Sequence, residues 1–349
     1  MKIVHIIFSL NVGGAENLLI DTVNEQVKNE EVTVIIINDS ITQSLINEFD
    51  KRVKVILLNR KAKSKNPFAF IRLNYLLFRI SPDVIHLHHI SIAKFICKGF
   101  HKKTFYTIHA LNIPMDASKY VKCMIAISDA VKENAETRTG TPIITIPNGI
   151  NTNKILFQPQ KSKDKEKIFR IIQLGRLFVK FKGQDILIEA ISILKNKGIK
   201  NIEVDFIGDG EDKELLLKLA KEKQVENCIN FLGQRTREYI YSHLRDYDLM
   251  CHPSRNEGFG LVIAEGMAAG LPILVPNSGG PYEVIEQGKY GTTFEYENCA
   301  DCAEKIEYII NNYEEITKKH TDGRNLVIKK YSIKKMVEEY IKTYKKYIP

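Results

Sequence analysis

The strongest constraint in this sequence is the alternation of short, β-branched apolar runs with segments of helical period. In the first half the candidate strands are 2–8, 32–38, 53–57, 83–88, 104–108, 123–127 and 143–146, with helical patterns at 14–28, 67–80 and 129–138 between several of them. In the second half, strands near 168–174, 202–207, 229–232, 247–251 and 272–275 alternate with helices near 184–196, 211–223, 260–269 and 300–312. Strands that are apolar along their whole length must be covered on both faces, which parallel sheets achieve with crossover helices. The predicted class is α/β, and such sheets bind ligands beyond the carboxyl ends of their strands.

At about 150 residues per domain, the 349 residues predict two domains. "IPNGI" (146–150) closes the first series, and "QPQKSKDKEK" (158–167) is polar, charged and free of core residues, as a linker would be. The expected organisation is a domain over 1–157, a linker at 158–167, a second domain over 168–330 and a terminal helix at 331–349. In that helix Ile333, Met336, Val337, Tyr340, Ile341 and Tyr344 recur at helical spacing, so it needs an apolar surface to lie on. Two doubly wound, Rossmann-like domains facing across a cleft are expected, and a cleft of that kind is a usual place for a ligand.

No apolar run approaches the roughly 18–20 residues of a membrane span. The opening "MKIVHIIFSL" has the charge and apolar run of a short signal, yet no small-residue cleavage site follows, so it reads as a first buried strand. Six scattered cysteines fit reduced thiols of a cytoplasmic protein, and the single CxxC of Cys299 and Cys302 reads as packing rather than as a zinc site. The net charge of +9 is concentrated: residues 51–122 hold fifteen Lys/Arg against Asp83 and Asp116, a surplus of +13 that leaves the rest near −4. Within this block "NPFAFIRLNYLLFRI" (66–80) has an apolar helical face with Arg72 and Arg79 beside it. Two readings stand, a solvated basic surface around core helices or a patch held against anionic lipid. No nucleic-acid-binding module is recognisable.

The chemistry concentrates at predicted strand ends. In "CHPSRNEGFGLVIAEG", Pro253 and two glycines lead from a strand into a helix, whose first amides, from about Gly258 to Leu261, form an anion site. Glu257 and Glu265 bracket this apolar stretch, where an unpaired carboxylate costs several kcal/mol. Sugar or ribose hydroxyls would satisfy them. As a glycosidase acid and base they are poorly spaced, since eight helical steps cover about 12 Å against the roughly 5–9.5 Å such pairs need. "LGRLFVKFKGQD" places Arg176 and Lys182 in a strand-end loop, a fork and a point charge that suit a diphosphate, although solvated loop charges would look the same. "SLNVGGAENLLI" sets Gly13 and Gly14 between the first strand and helix, without the third glycine of a dinucleotide fingerprint. In "DVIHLHHI", His86 and His88 share one side of a strand but lack an acid cluster, so structural or cleft-lining histidines are expected rather than metal ligands. His109, just after the strand in "YTIHA", is placed to bond a substrate hydroxyl.

Together with "ISDAVKE" (127–133), "GDG" (208–210) and "PSRNEGFGLVIAEGMAAGLPILVPNSGGPYEVI" (253–285), these motifs resemble the retaining nucleotide-sugar glycosyltransferases of family 4, in glycosyl transferases group 1, which have the GT-B fold. The spacing of Glu257 and Glu265 is the most specific element. The resemblance implies that Arg176 and Lys182 hold a donor diphosphate, with Lys180 the alternative cation. It implies that Glu257 contacts a donor-sugar hydroxyl, that Phe259, Gly260 and Leu261 offer backbone amides, and that Glu265 binds ribose. Gly14 would approach phosphate, and His109 would lie by the transferred sugar.

The implied activity is transfer of a hexose or N-acetylhexosamine from a UDP- or GDP-linked donor to a glycan or lipid-linked acceptor, in surface polysaccharide or glycoconjugate biosynthesis. It implies retention at the anomeric carbon, no metal and no cofactor beyond the donor, with the enzyme cytoplasmic or peripheral at the inner face of the plasma membrane. Three rivals keep much of the same site: a nucleotide-sugar epimerase, a phosphorylase and a non-catalytic sugar-binding relative. A Rossmann oxidoreductase is disfavoured by the incomplete glycine pattern.

Overall fold

The computed structural model describes residues 1–157 and 167–348, so nearly all of the expected linker at 158–167 lies outside the described residues. The chain divides into two compact units, Met1–Ile150 with the segment from Ser332 onward, and Asn151–Tyr331.

The first unit is built on β1 (Lys2–Ile7), β2 (Glu31–Asn38), β3 (Lys54–Arg60), β4 (Val84–Leu87), β5 (Thr104–Ile108), β6 (Cys123–Ala126) and β7 (Ile143–Thr145). Every pairing is parallel, in the order β3-β2-β1-β4-β5-β6-β7. The order reverses between β1 and β4, where His5 stands beside His86 in register. β1, β4 and β5 are buried along almost their full length, as strands covered on both faces require.

The C-terminal helix Ile333–Tyr347 belongs to this unit. Ser332 caps it by accepting from the Lys335 amide, and Ile333, Met336, Tyr340 and Tyr344 pack with Ile3, Leu18, Val84, Phe105 and Ile125. Each such buried side chain contributes roughly 1.5–3 kcal/mol. The helix therefore completes the core of the first unit although 181 residues of sequence (151–331) intervene.

The second unit carries β8 (Phe169–Leu174), β9 (Ile202–Ile207), β10 (Ile229–Gly233), β11 (Leu249–Cys251), β12 (Ile273–Pro276) and β13 (Thr292–Phe294). Its sheet is parallel in the order β10-β9-β8-β11-β12-β13, with the reversal between β8 and β11. Helices Gln184–Asn196 and Cys299–Asn311 cover one face through Leu187, Ile191, Leu194, Cys302, Ile306 and Ile309. Cys302 is part of this core, so the CxxC is a packing element. Both sheets are doubly wound, and the architecture is the GT-B fold. Among the described residues no helix is long and apolar enough to cross a membrane.

Candidate functional site

In the second unit the site grows from the switch point of the sheet, where the loops leaving β8 and β11 lie side by side. The loop after β8 turns at Gly175, carries Arg176, and ends in the short helix Val179–Lys182. Gly183 follows with φ +62°, and a Cβ there would sit 2.0 Å from the Pro253 carbonyl oxygen. Only glycine permits this approach. The Arg255 and Asn256 amides both donate to the Phe181 carbonyl, at 2.9 and 3.2 Å. Arg255 also forks onto Asp185 with two bonds of 2.7 Å and reaches Glu297 with its Nε at 2.7 Å. The two loops are therefore fixed to each other by backbone contact and by a bidentate ion pair.

This junction places Lys182 against Glu257. The ammonium is ion-paired to Glu257 Oε2, and His252 Nε2 lies 3.4 Å from the same oxygen. Burial pushes the Glu257 carboxyl upward, but Lys182 and His252 outweigh it and hold the group at about 2. Burial also lowers His252, leaving a neutral imidazole that donates from Nε2. Lys180 is exposed, with its Nζ 6.0 Å from the centre of the Phe181 ring. Of the two lysines, Lys182 is the one aimed at Glu257. Arg176 is exposed, with its guanidinium over the Phe178 ring, and its carbonyl accepts from Gln184 Nε2 at 2.9 Å.

The helix Leu261–Ala269 starts beside this pair. Gly260 precedes it in the left-handed region (φ 90°, ψ 64°) and no side chain caps the first turn. Phe259 is buried edge-on against Tyr331, which fixes the approach to the helix, while Leu261 is half-buried at its first position. Behind it, Gly280 packs against Gly258, where a Cβ would fall 2.5 Å from the carbonyl carbon. Glu265 lies in the second turn and accepts from the Tyr241 hydroxyl at 2.8 Å, and Arg237 Nε donates to that hydroxyl at 3.0 Å. Glu257 stands ahead of the helix, so the two glutamates have separate partners and separate environments.

Sequence reasoning missed several of these groups. His252 and Arg255 stand within "CHPSRNEGFG" with no role read for either, and Tyr241 lies outside every motif. Four polar atoms on residues that line or support the junction, Gln173 Oε1, Gln184 Oε1, His252 Nδ1 and Ser254 Oγ, are buried without a partner among the described residues. Buried polar atoms are rarely left so. Among the described residues no three of His, Cys, Asp and Glu are grouped to hold a metal ion.

The first unit holds the other expected residues. Gly14 is exposed at the start of the helix Gly14–Gln26, immediately after Gly13. His109 follows β5 and is half-buried. It belongs to a file of rings: His109 Nε2 is 3.3 Å from His88 Nδ1, and His88 Nε2 is 3.1 Å from His5 Nδ1. Beside the file, His86 bonds Thr107 Oγ1 at 2.7 Å and the Tyr344 hydroxyl. Burial lowers all four imidazoles, with His5 and His109 at about 4. They are neutral side chains in a hydrogen-bonded network.

Two family models match the chain, glycosyltransferase family 4 over residues 12–154 and glycosyl transferases group 1 over residues 154–325. An uncharacterised glycosyltransferase of Haemophilus influenzae is 31% identical over 54% of this chain and 52% of its own. Another, from Methanocaldococcus jannaschii, is 31% identical over 63% of this chain and 58% of its own. The aligned part thus spans little more than half the length of these relatives. Among solved structures, Anabaena HepE in complex with UDP and glucose superposes with a TM-score of 0.82 at 20% identity, over 99% of this chain and 100% of that one.

Proposed function

Because the chain belongs to the glycosyl transferases group 1, with a family 4 region in its first half, we propose that it is a retaining, metal-independent glycosyltransferase. It moves a hexose or N-acetylhexosamine from a nucleoside diphosphate, UDP or GDP, to a glycan acceptor in surface polysaccharide or glycoconjugate assembly. The observation that carries this reading is the junction of Lys182, Glu257 and the uncapped helix Leu261–Ala269 at the switch point of the second sheet. A cation, an ionised carboxylate and free amides meet there above unpartnered buried polar atoms. Diphosphate needs the first and third, and sugar hydroxyls need the second. HepE, with UDP and glucose bound, supports UDP as the first donor to try.

Negative charge grows on the leaving diphosphate as the glycosidic bond breaks. Arg176, Lys182 and the amides of Phe259, Gly260 and Leu261 offset that charge, and removing one such donor commonly costs about 2.7–4 kcal/mol of transition-state stabilisation. Glu257 holds a sugar hydroxyl and Glu265 the ribose. In the first unit, Gly14 serves phosphate and His109 the transferred sugar. Glu257 is fully ionised and already paired, so front-face departure and attack fit better than a covalent adduct on it.

The test is a thermal-shift screen of UDP- and GDP-sugars, followed by nucleotide release with candidate acceptors and with a chelator added. Acceptor-dependent release that survives chelation is expected. Release without any acceptor, strict metal dependence or a trapped sugar–enzyme adduct would each overturn the corresponding part.

The same reading includes a lipid-linked acceptor met in the cytoplasm, at the inner face of the plasma membrane. The helix Phe68–Ile80 buries Leu73 and Leu77, yet turns Phe68, Ile71, Tyr75 and Phe78 to solvent, each 56–72% exposed. Ile71, Tyr75 and Phe78 line a groove of about 790 Å³ shared with Phe70 and Phe95. Arg60 and Lys65 line it, and Lys61, Lys63, Arg72, Arg79, Lys98 and Lys102, close to it in sequence, are exposed; each cation near an anionic bilayer adds about 1 kcal/mol of attraction. Phe68, Ile71 and Phe78 changed together to Ser should abolish sedimentation with phosphatidylglycerol vesicles. Equal sedimentation of variant and parent would remove the membrane from the proposal.

A further inference from the structure

The file of histidines in the first unit ends on a single amide. His5 Nε2 lies 2.7 Å from Gln26 Oε1, at the last residue of the helix Gly14–Gln26, and both side chains are fully buried. His5 Nδ1 meets His88 Nε2, and His88 Nδ1 meets His109 Nε2. The rings lie stacked, His5 on His88 at 5.4 Å and His88 on His109 at 5.5 Å between centroids. Tyr340 and Tyr344 of the C-terminal helix close over His86 at 5.3 and 5.8 Å and bury the inner end of the network.

A neutral imidazole has one N–H and one bare nitrogen, so a file of them has a direction. The Gln26 oxygen can only accept, so the proton of His5 is on Nε2 and its Nδ1 is bare. His88 must then donate from Nε2, which leaves its own Nδ1 bare. His109 must donate from Nε2 in turn. We infer that Gln26, three side chains away, sets the tautomer of His109, so that its Nδ1 is presented bare and takes a hydroxyl rather than a phosphate oxygen. Gln26, His5 and His88 are positioning residues, and His109 is the one that meets the ligand. Among the described residues His109 Nδ1 has no hydrogen-bond partner, in keeping with an acceptor left for a ligand hydroxyl. Only the identification of that hydroxyl as the sugar's rests on the proposed glycosyl transfer.

Two-bond ¹H–¹⁵N correlation spectra of the full chain, labelled at histidine and recorded near neutral pH, read the tautomers directly and need no activity. Expected are protonated Nε2 and pyridine-type Nδ1 at His5, His88 and His109. In Gln26→Met, which removes the acceptor, the two His109 nitrogens should move toward averaged values, and kcat should fall about tenfold, the effect of roughly 1.4 kcal/mol. A protonated Nδ1 at His109 in the parent protein would overturn the inference, as would an unchanged His109 tautomer in Gln26→Met. If the variant does not fold, the parent spectrum decides alone. Correct tautomers in a chain without transferase activity would uphold the inference and count against the proposed function instead.

Discussion

The Lys182 ammonium is paired with the Glu257 carboxylate, so the cation expected to face a diphosphate and the acid expected to face a sugar are partners of each other. Arg176, by contrast, is exposed and has no acidic partner among the described residues. The two cations therefore separate in their effects. Arg176→Ala should leave the melting temperature nearly unchanged while lowering kcat by about 10²–10³. Lys182→Ala should lose turnover similarly and also about 2–3 kcal/mol of stability, because a largely buried carboxylate is left with a neutral histidine. Parallel melting curves and initial rates check this, and an equal loss of stability in both variants would contradict it.

Glu257 is depressed from the usual carboxylate range to about 2. A depressed acid contributes stability that is complete above its unfolded value near 4.5 and is lost as pH falls from there toward 2. Above pH 5 it is ionised throughout, so the rate profile between pH 5 and 9 should show no limb from Glu257. A kinetic limb in that window that vanishes in Glu257→Gln would show the carboxyl to be a titrating acid, as in a glycosidase.

The histidines of the first unit give a dependence of the same sign at higher pH. His5, His86, His88 and His109 are all lowered by burial, with His5 and His109 at about 4. A base depressed on folding binds protons more readily in the unfolded chain, so stability is complete above about 6.5 and falls as pH drops below it. Each contributes up to about 1.4 kcal/mol per pH unit in that range. Thermal unfolding followed from pH 8 to pH 5 should show a steep loss below 6.5. Replacing His86 by Gln should flatten it.

The strands were legible because parallel-sheet strands are apolar throughout, and β1 to β12 coincide with runs visible in the sequence to within a few residues. β13 was not, since "TTF" is too short to show a pattern. The helix Tyr313–Lys330 was hidden as well: "TKKHTDGRN" interrupts its apolar face, and its burial rests on a few positions such as Ile316 and Val327. Arg176 and Lys182 stand out as charges beside glycine in a strand-end loop, and Glu257 and Glu265 as acids bracketing an apolar stretch. What joins them does not. Lys182 and Glu257 are 75 positions apart, and their pairing depends on Gly183 meeting Pro253 and on Arg255 reaching Asp185, neither of which leaves a local pattern. His5 was masked by the apolar strand that carries it.

Tyr241 offers a test of the nucleoside end of the site. Its hydroxyl donates to Glu265, and burial together with that carboxylate pushes the phenol far above its usual range, so it stays a donor at every working pH. Tyr241→Phe removes one hydrogen bond to Glu265 and should cost about 1–2 kcal/mol of stability. If Glu265 holds ribose in ground state and transition state alike, KM for the donor should rise several-fold with kcat little changed. Steady-state kinetics with the best donor from the thermal-shift screen read this directly, and a fall in kcat at constant KM would move Glu265 from binding into the chemical step.

Gly183 is the hinge on which the arrangement turns. With φ at +62° and the Pro253 carbonyl 2.0 Å from where a Cβ would stand, Gly183→Ala cannot be accommodated by a side-chain shift alone. The loop after β8 must move off the loop after β11, carrying Lys182 away from Glu257. Stability should fall by about 2–4 kcal/mol, from strain together with the broken ion pair. Gly198→Ala is the control, with a positive φ of 89° but nothing within 4 Å of the added methyl. It should cost about 1 kcal/mol, the backbone strain alone, and leave turnover intact. Equal losses in the two variants would mean that the close approach of the loops contributes nothing beyond backbone conformation.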